Sequence, residues 1–173
     1  METIRDKIKI MLNVGDLRSI GGSNEVVMFI HNQEDFDTLF SYLYDSDRLV
    51  VMRAADSIEK ISKKHSFYLD KHKSSLLDLI SNAKDKELKW HLAQLIVRLN
   101  LNDDEKKNVF KILKKWLLNK NESKIVRVNS IQALYEISFN DELLTESFDE
   151  IIESIKLENI SSIIARIKKL KLQ

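Results

Sequence analysis

A segment of ten residues returns every 38 positions along this chain: MRAADSIEKI from Met52, WHLAQLIVRL from Trp90 and VNSIQALYEI from Val128. A fixed period of tens of residues, filled on each pass with a helical pattern, restricts the fold to a row of stacked helical units, each resting on its neighbours. Helix packing demands apolar side chains at fixed offsets, and the offsets recur. Ala55, Ala93 and Ile131 align, followed three residues later by Ile58, Ile96 and Leu134, and after three more by Ile61, Leu99 and Ile137. Each pass therefore lays one apolar stripe along one helix face. Polar residues keep register as well, Asp56, Gln94 and Gln132 in one row and Lys60, Arg98 and Glu136 in the next. In a stack these groups come side by side, a ladder of hydrogen-bonding groups that spaces the repeats.

The breakers agree with helix nearly everywhere. There is no proline, and the three glycines, Gly15, Gly21 and Gly22, all fall within residues 14–24, the one strongly signalled loop. Before that loop, Ile4, Ile8, Met11 and Leu12 make residues 2–13 an amphipathic helix. After it, Ser23 or Asn24 caps a short helix and Asn32 opens another that carries Phe36, Leu39, Phe40 and Leu43. Ser46 or Asp47 caps the first full repeat. The chain then alternates a first and a second helix per repeat: 47–64 with 71–82, 85–100 with 103–119 and 122–138 with 141–157, closed by a half-repeat at 161–172. At 173 residues and 43% apolar content, one domain with one core is expected, with a leading segment 1–24, capping helices 25–46, repeats 47–158 and a terminal half-repeat 159–173.

Three segments carry a family resemblance: VMRAADSIEKI at 51–61, KWHLAQLIVRL at 89–99 and SKIVRVNSIQAL at 123–134. They resemble the HEAT-repeat family, and small bacterial single-domain members in particular, from about residue 18 to the end. The resemblance implies an all-α, right-handed α-α superhelix of about three full helix pairs with flanking helices. Its concave face would be lined mainly by the second helices. It also implies protein-binding scaffolds on one side and, more distantly, alkylpurine DNA glycosylases built of HEAT-like repeats on the other. The chain departs from the wider family in lacking the proline that often kinks the first helix of a pair, and in its slightly short period.

Charge is segregated. The net charge of +1 divides into −5 over residues 1–47, +9 over 48–128, −7 over 129–158 and +4 over 159–173. Where sequence order is spatial order, this makes a central basic band with acidic stretches on both sides. The densest part is the helix after Asn102. Val109, Ile112, Leu113, Trp116 and Leu117 form its buried stripe, and Lys107, Lys111, Lys114 and Lys115 project from the other side. Such a ridge attracts an acidic protein surface or a phosphate backbone. The acidic final repeat, with Glu142, Glu146, Asp149, Glu150 and Glu153, disfavours the phosphate backbone.

No constellation announces a reaction. Zero cysteine removes thiolate zinc sites and a cysteine nucleophile, and fits a reducing compartment, the cytoplasm by default. The first residues, METIRDKIKIMLN, interleave charge with apolar positions and read as neither a signal peptide nor a membrane span. His31, His65, His72 and His91 lack metal-ligand spacing, although His65 and His72 are placed to approach across a turn. Trp90 and Trp116 are the residues base recognition would use, but both sit in apolar register and are expected to be buried. Arg18, beside the glycines, is a candidate anion or carboxylate contact. The plainer expectation is a flexible connection between a mobile N-terminal helix and the array.

The chain thus reads as a non-enzymatic scaffold without cofactor or metal, binding a macromolecular partner, expected to be a protein, through Lys107, Lys111, Lys114, Lys115 and Arg18. The alternative is a DNA-binding or DNA-repair protein. A third expectation is self-association through the stripe Ile160, Ile163, Ile164, Ile167 and Leu170, which no later helix covers.

Overall fold

A computed structural model describes residues 3–15 and 21–172, and among these residues the regular structure is helical, without a strand. The chain divides into two compact units, the first ending at His72 and the second beginning at Lys73. The division falls inside the first sequence repeat, after its first helix.

In the first unit, α1 (Ile4–Asn13) begins with a capping box, Thr3 Oγ accepting from Asp6 N–H while the Asp6 carboxylate accepts from Thr3 N–H. It is followed by α2 (Ser23–Phe29), α3 (Gln33–Ser41), a 3-10 turn (Tyr42–Tyr44), α4 (Arg48–Ser62) and a 3-10 segment (Ser66–His72). Asn32 and Asp47 cap α3 and α4 as expected. The cap of α2 is Gly22, however, and Ser23 turns its hydroxyl inward to the Asp56 carboxylate. The expectation of a mobile N-terminal helix is overturned. Ile8 and Leu12 are fully buried where α1 packs on α2, α3 and α4. Tyr42 Oη donates to the Arg5 carbonyl at 2.7 Å, and Arg53 Nη1 donates to the Leu12 carbonyl at 2.7 Å. The second helix expected over 71–82 also differs, its first two residues belonging to the 3-10 segment. Tyr68 anchors that segment, its ring 5.2 Å from Phe36 and its hydroxyl donating to the His31 carbonyl.

The second unit contains α5 (Lys73–Asn82), α6 (Lys86–Ile96), α7 (Asp103–Leu118), α8 (Lys124–Ser138), α9 (Glu142–Lys156) and α10 (Ser161–Lys169). First helices α6, α8 and α10 pack side by side in one layer and second helices α5, α7 and α9 in another. All nine aligned apolar positions of the sequence repeat are buried. Each large aliphatic among them contributes roughly 1.5–3 kcal/mol of burial against the entropy of ordering the chain.

One expectation fails at α8. It is buried round most of its circumference, Val126, Arg127, Ser130, Ile131, Ala133, Leu134 and Ile137 included, because α6, α7, α9 and α10 all pack against it. A single apolar stripe does not describe it.

Two ion pairs, missed in the sequence, tie successive repeats of this unit. Lys89 at the start of α6 meets Glu122 at 2.5 Å, and Arg127 at the start of α8 meets Glu158 at 2.8 Å. Arg127, only 2% exposed, also donates Nε to the Leu117 carbonyl at 2.7 Å. Lys89 and Arg127 stand one period apart. Among the described residues no helix is long and apolar enough to cross a membrane.

Candidate interaction surface

The surface begins at a helix N-terminus. Asn102 Oδ1 accepts from Glu105 N–H at 2.9 Å and the Glu105 carboxylate accepts from Asn102 N–H at 2.8 Å, a second capping box that starts α7 where the sequence placed it. Lys73 of α5 lies 2.5 Å from Glu105. The Lys73 ammonium and then the Asn102 N–H hold the Glu105 carboxyl below its usual range.

From this start α7 buries Val109, Phe110, Leu113, Trp116 and Leu117. Phe110 takes the place expected for Ile112, which is only half-buried. Lys107, Lys111 and Lys115 are exposed and Lys114 is half-buried, and none of the four makes an ion pair among the described residues. At 100° per residue, Lys107, Lys111, Lys114 and Leu118 fall within one narrow sector of the helix. Leu118, 39% exposed, is an apolar contact point on the lysine face that the sequence reading overlooked.

The neighbouring second helix carries the opposite sign. Glu142, Glu146, Asp149, Glu150 and Glu153 of α9 are exposed, and of these Glu153 pairs with Lys156 at 2.7 Å. Since α7 packs on α9, one layer presents a basic row and an acidic row.

The first-helix layer holds the polar ladder. Gln94 of α6, Val97 and Arg98 of the turn that follows it, and Asn129, Gln132 and Glu136 of α8 line a cleft of about 180 Å3. Gln132 Nε2 donates to Glu136 at 2.7 Å within α8 and Gln94 Nε2 to the Trp90 carbonyl at 3.4 Å within α6, so the aligned residues come side by side in the cleft while Arg166 of α10, donating to Gln132 Oε1 at 2.9 Å, makes the bond between helices. The ridge lysines do not line this cleft. In the first unit the same register holds Asp56 with Lys60 at 2.6 Å, and Lys60 also reaches Asn24 at 2.9 Å.

Of the other candidates, Arg18 lies outside the described residues. The glycines beside it serve close approach, since a Cβ on Gly22 would stand 2.3 Å from the Met11 carbonyl oxygen. Trp116 is buried, with the Lys89 ammonium 5.6 Å from its ring centre. Trp90 corrects the expectation of burial: like the aligned Met52 and Val128 it is half-buried, because this register position sits at the edge of the stripe. His65 and His72 engage different partners, His65 the rings of Phe67 and Tyr68, and His72 the Asp37 carboxylate at 2.7 Å. Burial raises the Asp37 pKa, but hydrogen bonds from Lys71, Gln33 and His72 outweigh it and bring the carboxyl down to about 2. The C-terminal stripe is less open than expected. Ile163 and Ile167 are buried, and Ile160, Ile164 and Leu170 are half-buried.

A family model described as a HEAT repeat domain matches residues 11–172. No curated protein and no solved structure matches the chain.

Proposed function

The chain belongs to the HEAT repeat domain family, and from that premise we propose that it is a non-enzymatic scaffold that binds a protein partner through the second-helix layer of its second unit. Repeats of this family typically serve protein interaction and are generally non-catalytic. The observation that carries the reading is the pairing of rows: unpaired Lys107, Lys111, Lys114 and Lys115 on α7 beside the acidic face of α9. A phosphate backbone is negative along its whole length, so α9 would repel it while α7 attracted it. A folded protein surface can present both signs, and Leu118 offers it an apolar contact. Packed helices preorganise these side chains, so little ordering entropy opposes binding.

The test is the Lys111→Glu/Lys114→Glu double variant used as bait in native lysate, with quantitative mass spectrometry of what is retained. Both side chains lie off the buried stripe, so helical circular dichroism and melting midpoint should be unchanged while proteins held by the wild type are lost. Equal retention by the folded variant refutes the assignment of the ridge.

A further inference from the structure

At α10 the second unit carries a groove of about 610 Å3 that the α7 surface does not use. Its lining is Ile164, Ile167 and Lys168 of α10, Lys156 of α9, and Lys171 and Leu172 beyond the helix. Ile167 is 3% exposed and forms the floor, while Ile164 and Leu172 are half-buried walls. Lys168 and Lys171 are exposed and have no ion-pair partner among the described residues, whereas Lys156 is already paired with Glu153.

The groove owes its shape to the way α10 ends. Lys171 N–H donates to the Lys168 carbonyl at 3.0 Å and Leu172 N–H to the Ile167 carbonyl at 3.2 Å, the paired bonds of a Schellman turn. That turn needs a left-handed residue after the cap, and Lys171 supplies it at φ 57°. A non-glycine residue is strained there. The turn brings Leu172 back toward Ile167 and sets two free ammonium groups beside an apolar trough. α10 packs on α8 in the first-helix layer and touches α9. The trough between α9 and α10 is therefore where a further second helix would lie, and no described element occupies it.

We propose that this groove docks one amphipathic α-helix of a partner protein, its aliphatic side chains at i, i+4 and i+7 against Ile164, Ile167 and Leu172, and its carboxylates against Lys168 and Lys171. The charge around the trough selects the occupant, because a helix with basic flanks would bring like charges together in a partly desolvated site. The proposal rests on the reading of the chain as a protein-binding scaffold and is independent of the α7 ridge.

Two fluorescent helical peptides with the same leucine spacing, one flanked by glutamate and one by lysine, provide the test by anisotropy. The glutamate peptide is expected to bind about tenfold tighter than the lysine peptide. Lys168→Glu/Lys171→Glu should reverse that preference. Lys171→Gly suits the left-handed backbone, so it should raise the melting midpoint while weakening the glutamate peptide about threefold. That variant separates loss of charge from loss of fold. Lys111→Glu/Lys114→Glu should leave peptide binding unchanged, so failure of the α7 surface and failure of the groove are told apart. The proposal is overturned if the two peptides bind alike, if neither binds, or if the groove variants change nothing. It is overturned equally if sedimentation shows a dimer that Ile164→Lys dissolves, since a second copy would then fill the trough.

Discussion

At Gly21 the backbone takes φ 52°, and a Cβ built there would collide with the Val14 carbonyl oxygen and the Arg53 guanidinium. Arg53 is fully buried and holds the end of α1 through the Leu12 carbonyl, so displacing it unseats a helix as well as straining a turn. Gly21→Ala should therefore lower stability by more than the roughly 1–2 kcal/mol of left-handed strain alone. Denaturant unfolding followed by circular dichroism measures it, and a loss below about 0.5 kcal/mol would contradict the geometry. Asp37 sets a pH dependence. Its carboxyl is ionised down to about 2 in the folded state against 3.8 for an ordinary aspartate. A depressed carboxyl contributes stability above its unfolded pKa and loses it as pH falls through the folded pKa, so the contribution is complete above about pH 5 and mostly lost by about pH 2. Replacing it in Asp37→Asn should cost on the order of 2 kcal/mol at pH 7, less some screening because Lys71 is exposed. The gap between wild type and variant should close between pH 4 and 2. A gap that stays constant over that range would show that the carboxylate charge does not matter.

Between elements, the most consequential contact is Arg127, which joins the last turn of α7, the start of α8 and the turn after α9 through Leu117 and Glu158. Arg127→Ala leaves a cavity, an unanswered carbonyl and an unpaired carboxylate, and should cost about 3–5 kcal/mol. Arg127→Met/Glu158→Gln fills the volume and removes the charge, and should cost much less. Equal losses in thermal melts would mean that the pair acts by packing alone. The Lys89–Glu122 contact repeats this arrangement one period earlier, and both were readable in principle: a cation at the fourth residue of the helix with a carboxylate 33 or 31 residues on. Val51 at the first pass breaks the series and conceals it. The nine aligned core positions were legible because helices in contact exclude polar side chains from the seam. So was the lysine face of α7, where solvation dictates the residue type. Leu118 was missed because it ends an apolar WLL run and passes for core. The α10 groove was unreadable for a different reason: its shape depends on a left-handed turn at a lysine, where sequence patterns look for glycine.

Along the sequence a net charge of +1 hides blocks of +9 and −7, and the proposed preference for a protein partner over a nucleic acid can be tested on that pattern. The four ridge lysines neutralise at most about four phosphates, which limits the slope of log affinity against log salt to about −3.6 on a DNA duplex. Raising salt from 50 to 200 mM would then weaken binding by no more than roughly 150-fold. Because the exposed acids of α9 stand beside the ridge, the real slope should be shallower and binding at physiological salt weaker than about 10⁻⁴ M, the loose end of non-specific association. Anisotropy of a labelled 20-base-pair duplex at the two salt concentrations measures both quantities. Micromolar binding at physiological salt, or a slope steeper than about −4, would require cations beyond the ridge and would favour a DNA-binding or DNA-repair role. Shallow, weak binding that Lys111→Glu/Lys114→Glu abolishes is the expected outcome. It would mark the ridge as accessible to any polyanion, with selectivity arising only when a partner answers the acidic row as well.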